Sequence, residues 1–359
     1  MTRYLLAGGG TAGHVNPLLA VADRIRAEEP DAEIVVVGTA EGLESRLVPE
    51  RGYELLVIPK VPLPRRPNRA AIGFWQKLRA ARAKVRTVIA ERQIDVVVGF
   101  GGYVSTPVYL AARDAKRPIV IHEANAKPGL ANRLGARMTR FVGVAFAGTE
   151  LPHATVVGMP LRPEIEAIAQ SAEMCALRRE QAIKDLGLDA ARSTLLVTGG
   201  SLGANRINRA VRDAIEQLLE TGWQVLHLVG EKSEIDDPRL PGYHQLRYLD
   251  RMDLALAAAD FAVSRAGSST VSELSALAIP AVYVPYAVGN GEQRLNAASV
   301  VAAGGALLVS DAEFSANWIV TELVPLLDDG SRVQRMRERA AGAVDGTAAT
   351  VSLIHTALA

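Results

Sequence analysis

The chain has little of what disulfide-stabilised or metal-dependent proteins are built from. A single cysteine among 359 residues, Cys175, excludes a disulfide framework and multi-cysteine metal clusters. No Asp-x-Asp, P-loop or Gly-x-Ser-x-Gly motif occurs, and the six histidines lack the spacing of metal ligands. We therefore expect neither a metal nor a cofactor.

Long apolar segments are also missing. The uncharged stretches 96–112 and 274–291 both contain glycine and proline, which is typical of buried strands with loops and not of spanning helices. The first residues lack the pattern of a secretory signal. These features predict a soluble intracellular chain.

The composition suits two domains whose charges differ. Hydrophobic residues make up 49% and charged residues 22%, so a chain of this length can bury two cores. Residues 1–160 hold 22 Lys+Arg and 14 Asp+Glu, whereas residues 161–359 hold 18 and 25. This asymmetry indicates that the two halves meet different partners.

The positive charge of the first half is concentrated between Leu55 and Ala90, where no acidic residue occurs. Basic residues alternate there with apolar ones at helical spacing, a pattern typical of helices that bind anionic membranes at about 1 kcal/mol per cation. The predicted membrane patch consists of Arg65, Arg66, Arg69, Ile72, Phe74, Trp75, Lys77, Leu78, Arg79 and Arg82. From Leu78 onward, packing of the apolar face on the domain core is an equally good interpretation. Because the patch is local, nucleic acid is not expected as a partner.

Apolar runs alternate with helical patterns along the chain, and this predicts a parallel sheet covered by helices. The predicted strands are 4–7, 34–37, 55–58, 96–98 and 118–121, and then 194–197, 225–229, 261–263 and 281–284. The order restarts after the proline-rich segment 158–163. We predict an α/β protein with two tandem Rossmann-like domains, residues 1–160 and 161–344, and a cleft between them.

Three glycine loops follow predicted strands, at 8–13, 99–102 and 199–203. Glycine amides and the helix that follows such a loop can bind phosphate. The first loop formally matches the dinucleotide fingerprint, although tight strand–helix packing explains the same pattern. An NAD site also needs an acid at the end of the second strand, where this chain has Gly38-Thr39-Ala40. The first acid, Glu41, lies slightly too far along the chain for that role.

His14 comes directly after the first glycine loop, in the first turn of the expected helix. A lone histidine is most often a buried core residue. At a glycine loop that faces a cleft, a helix N-terminus keeps imidazole neutral and able to accept a proton. We therefore predict that His14 is a general base.

The densest polar segment of the second half is 264–273, where hydroxyl residues precede a helix that carries Glu273. A helix-capping motif explains one hydroxyl and the glutamate, but not three hydroxyls in succession. A nucleotide site explains them all, and the segment 290–293 would face the same cleft. Without a metal, helix dipoles and arginine would have to stabilise a leaving diphosphate.

Seven motifs together resemble one family. They are GGGTAGHVNP at 8–17, GGYVSTP at 101–107, HEAN at 122–125, GMPLR at 158–162, GGSLGANRIN at 199–208, SRAGSSTVSEL at 264–274 and EQRLNA at 292–297. From residue 3 to about 340, the chain is similar to the bacterial undecaprenyldiphospho-muramoylpentapeptide β-N-acetylglucosaminyltransferases, which convert lipid I to lipid II. The resemblance implies a GT-B fold, a C-terminal helix at about 345–359 that packs on the first domain, and peripheral attachment to the anionic cytoplasmic face of the cell membrane.

The resemblance also implies an inverting transfer of GlcNAc from UDP-GlcNAc to the 4-hydroxyl of the muramoyl sugar of lipid I, with His14 as the base. The residues that it places around the substrates are Thr11, Ala12 and Gly13 at the donor sugar and acceptor diphosphate, Asn125 and Arg162 on the donor, Ser201 on its diphosphate, the backbone of Leu249 on uracil, Ser268, Ser269, Thr270, Val271, Ser272 and Glu273 on phosphate and ribose, and Gln293 on GlcNAc. Glu292 departs from the commoner His or Gln, which leaves its role open.

Other functions remain as alternatives at this stage. Another GT-B enzyme that uses a UDP-sugar, either a lipid glycosyltransferase or a UDP-GlcNAc 2-epimerase, would share the fold, but an epimerase needs no basic amphipathic segment. The missing second-strand acid disfavours an NAD-dependent oxidoreductase, and His14 in an intact loop disfavours an inactive membrane scaffold. The peptide stem of the acceptor, the oligomeric state, the order of substrate binding and any cell-wall synthesis proteins as partners stay open.

Overall fold

The computed structural model describes residues 1–61, 69–200, 204–286, 291–342 and 345–359, with residues 69–72 as backbone only. Within it the chain forms two compact units. Unit 1 consists of Met1–Arg162 together with Asp345–Ala359, and unit 2 consists of Pro163–Val344. Arg65, Arg66 and Ser201 of the predicted sites lie outside the described residues, as do the side chains of Arg69 and Ile72.

Unit 1 is built on a parallel sheet in the order β3-β2-β1-β4-β5-β6-β7. Its strands are β1 Arg3–Ala7, β2 Glu33–Gly38, β3 Glu54–Val57, β4 Val96–Gly99, β5 Ile119–Glu123, β6 Phe141–Val144 and β7 Ala154–Val156. The helices are α1 Ala12–Glu28, α2 Glu44–Glu50, α3 Arg69–Glu91, α4 Ser105–Asp114, α5 Leu130–Gly135 and, at the end of the chain, α17 Gly346–Leu358.

Unit 2 repeats the plan with a parallel sheet in the order β10-β9-β8-β11-β12-β13. Its strands are β8 Thr194–Thr198, β9 Gln224–Leu228, β10 Tyr243–Leu246, β11 Phe261–Ser264, β12 Ala281–Tyr283 and β13 Ala306–Leu308. The helices are α6 Pro163–Gln170, α7 Ala172–Leu186, α8 Asn205–Asp213, α9 Ile215–Glu220, α10 Met252–Ala258, α11 Ser268–Ala276, α12 Glu292–Asn296, α13 Ala298–Ala302, α14 Ala316–Trp318, α15 Val324–Asp328 and α16 Gly330–Ala340, with a π-helical turn at Ile319–Leu323.

Both sheets reverse their strand order at one place, between β1 and β4 in unit 1 and between β8 and β11 in unit 2. Such a reversal opens a crevice at the carboxyl ends of the strands, where α/β proteins bind ligands. The predicted class of two Rossmann-like α/β domains is confirmed. The sequence analysis did not predict β6, β7, β10 and β13, each of which is only three or four residues long.

The core of unit 1 lies on both faces of its sheet, because successive strand residues point to opposite sides. Leu5 and Ala7 of β1 pack with α3 and α4, whereas Tyr4 and Leu6 pack with α1 and α17. The last helix therefore belongs to the core of the first unit. Its His355 Nε2 lies 3.0 Å from Glu29 Oε1 at the end of α1.

The structure corrects the predicted membrane patch. Phe74 and Leu78 are each only 8% exposed and belong to the core, whereas Trp75 is 66% exposed. Phe74, Leu78 and Val85 recur at helical spacing on the face of α3 that covers the sheet, and Trp75 lies about 100° away around the helix. The prediction that Phe74 faces a membrane is wrong, and for Leu78 the alternative of core packing holds, because burial in the domain core satisfies the same apolar periodicity.

Adjacent aromatic residues on α3 should therefore respond differently to truncation. Phe74→Ala should lower the free energy of unfolding by about 3–5 kcal/mol, since it leaves a cavity in the core. Trp75→Ala should change it by less than about 0.5 kcal/mol. Urea denaturation of both variants beside the wild type measures the difference, and equal effects would contradict the burial of Phe74.

Two histidines are buried inside the strands. His122 on β5 has Nε2 at 2.9 Å from the Gly158 carbonyl oxygen, and Nδ1 has no partner among the described residues. Burial lowers its pKa to about 4. His227 on β9 has Nδ1 at 2.8 Å from the Tyr243 hydroxyl oxygen, and burial lowers the pKa of His227 to about 3. Both histidines are thus neutral in the folded chain at neutral pH.

Stability should therefore fall as the pH drops below about 6.5. The unfolded chain binds protons at these histidines from that pH downward, whereas the folded chain binds them only near pH 4 for His122 and pH 3 for His227. Between these limits each histidine should remove about 1.4 kcal/mol of unfolding free energy per pH unit. Urea denaturation from pH 7 to 4.5 should show a shallower slope for His122→Gln than for the wild type. An unchanged slope in His122→Gln would contradict the prediction.

Candidate active site

Two glycine loops meet at the point where the strand order of unit 1 reverses. The loop 8–11 follows β1 and the loop 100–104 follows the neighbouring β4. A Cβ on Gly102, whose φ is +83°, would lie 2.5 Å from the carbonyl oxygen of Gly9. Only glycine allows the two backbones to come this close.

His14 lies beside this contact, in the first turn of α1. Its Nδ1 is 3.1 Å from the hydroxyl oxygen of Thr11, the N-cap of that helix. On the other side, a Cβ on Gly101 would lie 3.2 Å from His14 Nε2. The half-buried ring is thus positioned between its own N-cap and the second glycine loop, with Ala12 and Gly13 in the same turn. An imidazole held in this way can accept a proton from a substrate hydroxyl.

Glu44 braces the first loop and is not among the site residues predicted from the sequence. The residue is fully buried at the start of α2. One carboxylate oxygen accepts the Gly10 N–H at 2.8 Å, and the other accepts the Thr39 N–H at 2.9 Å and the Thr39 hydroxyl at 2.8 Å. Burial by itself would raise the pKa of Glu44, but these hydrogen bonds outweigh it and hold the pKa below its usual range. Glu44 is therefore ionised at neutral pH.

A second buried carboxylate, Glu123 at the end of β5, organises the loop that carries Asn125. It accepts the backbone N–H groups of Asn125 at 2.9 Å and Gly129 at 3.0 Å, and the Asn132 amide at 3.0 Å. Asn132 in turn accepts the Tyr109 hydroxyl at 2.7 Å and lies close to Gly101. His14 and Asn125 thus belong to one connected edge of unit 1.

In unit 2, the polar segment opens α11 at the corresponding reversal of strand order. Gly267 is the N-cap, so none of the hydroxyl residues caps this helix. Ser268 is buried, and the buried hydroxyl of Ser269 has no hydrogen-bond partner among the described residues. An unpaired hydroxyl at a helix N-terminus suits an anion. Half-buried side chains follow at Thr270, Ser272 and Glu273, and Val271 packs inward.

Gln293 lies on α12, which is hydrogen-bonded to the loops that follow β11 and β12. The side-chain oxygen Oε1 of Gln293 accepts a hydrogen bond from the Tyr286 N–H at 2.9 Å, and this bond fixes the direction of the side chain. Asn296, one turn later, donates to the Ala266 carbonyl at 3.3 Å, and Arg265 donates to the Val284 carbonyl at 3.0 Å. The structure thus brings Gln293 and the start of α11 together.

The remaining predicted residues are more scattered. Leu249 follows β10 in unit 2, and Arg162 is the last residue of the first segment of unit 1. Among the described residues, no group of three or more His, Cys, Asp or Glu could hold a metal ion. No described helix is long and apolar enough to cross a membrane.

Sequence reasoning missed Glu44, Glu123 and Asn132. Glu123 had a detectable signal, because an acid that ends a buried apolar strand needs partners. Glu44 had a weaker signal, because it lies only three residues after Glu41, the acid considered after the second strand. Asn132 had no signal, since its partners come from β5 and α4.

Two family models match the two units of the chain. Residues 4–144 match the glycosyltransferase family 28 N-terminal domain, and residues 194–351 match the family 28 C-terminal domain. The chain is 60% identical over 360 residues to the UDP-N-acetylglucosamine–N-acetylmuramyl-(pentapeptide) pyrophosphoryl-undecaprenol N-acetylglucosamine transferase of Leifsonia xyli subsp. xyli, covering 100% of this chain and 99% of that one. It is 58% identical to the enzyme of the same name from Clavibacter sepedonicus, covering 100% and 97%.

Among solved structures, the chain resembles that of Acinetobacter baumannii MurG. The TM-score is 0.77 at 24% identity, and the match covers 99% of this chain and 100% of that one. This likeness concerns the fold, and the full-length relatives extend it to the family. The chain belongs to glycosyltransferase family 28, within the family of UDP-N-acetylglucosamine–N-acetylmuramyl-(pentapeptide) pyrophosphoryl-undecaprenol N-acetylglucosamine transferases.

Proposed function

We propose that this chain transfers GlcNAc from UDP-GlcNAc to the 4-hydroxyl of the muramoyl sugar of lipid I and so makes lipid II for peptidoglycan, on which cell shape and division depend. The observation that carries the proposal is the identity of 60% over the whole chain with an enzyme named for this transfer. The position of the candidate residues at the strand-order reversal of each unit supports it, because α/β proteins bind ligands there.

Unit 2 is the proposed donor site. The unpaired Ser269 hydroxyl and the N-terminus of α11 suit the diphosphate of UDP-GlcNAc without a metal. We assign the ribose hydroxyls to Glu273, the hydroxyls of GlcNAc to Gln293, and uracil to the backbone of Leu249. Further donor contacts fall to Asn125, Arg162 and Ser201.

Unit 1 is the proposed acceptor site, with His14 as the general base. The acceptor 4-hydroxyl oxygen bonds to the anomeric carbon from the face opposite UDP, the bond from that carbon to the phosphate oxygen breaks, and the hydroxyl proton passes to His14. UDP leaves with the bonding electron pair, which the donors around the start of α11 stabilise. The Thr11 hydroxyl beside Nδ1 orients the ring for this step.

One assay tests both the reaction and the base. With UDP-GlcNAc and a lipid I analogue, and without added metal, the wild type should add one N-acetylhexosamine to the lipid, as measured by mass spectrometry, and release UDP. His14→Ala should lower kcat by roughly two to four orders of magnitude, because the transition state loses its proton acceptor. The Kd for UDP-GlcNAc, measured by calorimetry, should change little.

The control is His153→Ala, an exposed histidine of unit 1, which should behave as the wild type. Release of UDP without a lipid product would contradict the acceptor and favour an epimerase-like enzyme. Equal losses of kcat and donor affinity in His14→Ala would make His14 a structural residue.

We further propose that unit 1 attaches peripherally to the anionic cytoplasmic face of the membrane that carries lipid I. The described part of the surface consists of the exposed side chains of Trp75, Lys77 and Arg79 on α3. Arg82 contributes less, because it forms an ion pair with Asp114. An exposed indole beside two cations suits the interface of an anionic bilayer.

The double variant Lys77→Ala/Arg79→Ala should bind vesicles with anionic lipids about 30-fold more weakly, since each cation contributes about 1 kcal/mol near the surface. Flotation with anionic and with purely zwitterionic vesicles measures the effect, which should be confined to the anionic ones. Leu177→Ala, at an exposed apolar side chain of unit 2, is the matched control and should float as the wild type. Equal binding by the double variant would exclude this surface of α3.

A further inference from the structure

Glu44 joins two loops that are far apart in the sequence. Through one oxygen it holds Gly10, 34 residues earlier, in the loop after β1; through the other it holds Thr39 in the loop after β2. The N–H groups of Gly10 and Thr39 and the Thr39 hydroxyl point at one fully buried carboxylate. This arrangement of donors suits a carboxylate, whose two oxygens both accept hydrogen bonds. A glutamine amide of the same shape would not suit it, because its NH₂ group would face the N–H donors of the loops.

The space around this carboxylate is made by glycines. A Cβ on Gly9 would lie 2.5 Å from Glu44 Oε1, one on Gly42 would lie 2.0 Å from Oε2, and one on Gly38 would lie 2.4 Å from Cγ. Three backbone segments thus leave room for one side chain. Gly9, the variable position between the first two glycines of the formal dinucleotide fingerprint, is required here by an internal carboxylate.

The brace acts next to His14. Gly10, with φ +92°, directly precedes Thr11, which caps α1 and contacts His14 Nδ1. Because the Gly10 amide is fixed by Glu44, the orientation of the chain where it enters α1 is fixed as well. The Gly10 N–H group is thus bonded to Glu44, whereas in a phosphate-binding loop such an N–H group would bond to the ligand.

We propose that Glu44 is a positioning residue of the transfer reaction: its carboxylate serves as the resident anion of the loop 8–11 and holds Thr11 and His14 in the orientation that proton transfer needs. This inference rests on the proposed function. It accounts for a dinucleotide-like glycine loop in a chain that transfers a sugar, since the loop binds an anion of its own.

The test compares Glu44→Ala with Glu41→Ala, an exposed acid three residues earlier that lines the same small cavity. Glu44→Ala should lower kcat about 10- to 100-fold, because small displacements of a catalytic group have effects of this size. The Kd for UDP-GlcNAc should stay within about twofold of the wild type, since Glu44 contacts none of the residues assigned to the donor and most of these lie in unit 2. Glu41→Ala should match the wild type in both.

Rescue by a small carboxylate separates positioning from general destabilisation. Formate should restore part of kcat to Glu44→Ala by filling the vacated site, whereas formamide, its neutral analogue, should not. Formate should have no effect on the wild type or on His14→Ala. Circular dichroism of each variant at the assay temperature establishes whether it is folded.

If Glu44→Ala does not fold, Thr39→Val provides the test, because it removes one donor to the carboxylate while keeping the shape of the side chain. Its kcat should fall roughly fivefold, the effect of one lost hydrogen bond, with the donor Kd unchanged. Unchanged kcat in a folded variant, parallel loss of kcat and donor affinity, or equal rescue by formamide would each overturn the positioning role. An inactive wild type would instead overturn the proposed function.

Discussion

The contact between the two glycine loops of unit 1 is the constraint on which its candidate site depends. Gly102 lies so close to the carbonyl of Gly9 that no Cβ fits between them. Because β1 and β4 are neighbours in the sheet, their loops leave the same edge and must share this space. The contact places Gly101 against the His14 ring and near Asn132. A larger residue at Gly102 would separate the loops and displace the ring.

Two buried carboxylates keep these loops rigid. Glu44 begins α2 and Glu123 ends β5, and both are bound by backbone N–H groups together with neutral polar side chains. Burial of a charge is costly unless several hydrogen bonds compensate it, and each of these groups accepts at least three. A buried ion paired in this way favours one loop conformation strongly, since any other leaves the charge unsatisfied. Rigid loops then hold His14 and Asn125 in place.

The sequence predicted what local patterns encode. Buried apolar runs revealed the central strands, and the glycine loops after them revealed where ligands would bind. Phe74 and Leu78 were assigned to a membrane because core packing and membrane binding produce the same apolar periodicity, and only burial separates the two. Glu44 was missed because two of its three hydrogen-bond donors are backbone amides, which leave no trace in the side-chain pattern. Asn132 was missed because its partners come from segments distant in the sequence.

The two units show that a glycine loop does not by itself define a ligand. In unit 1, the anion bound by the loop 8–11 is Glu44, so the Gly10 amide serves the architecture of the site, in which His14 is the proposed base. At α11 of unit 2, the described residues include no partner for the Ser269 hydroxyl, and the helix N-terminus keeps its capacity for an anion. Similar folds and similar loops thus suit different proposed roles: proton transfer where the anion is internal, and binding of a diphosphate where the anion would come from the substrate. The deciding feature is one buried side chain, outside the glycine motif itself.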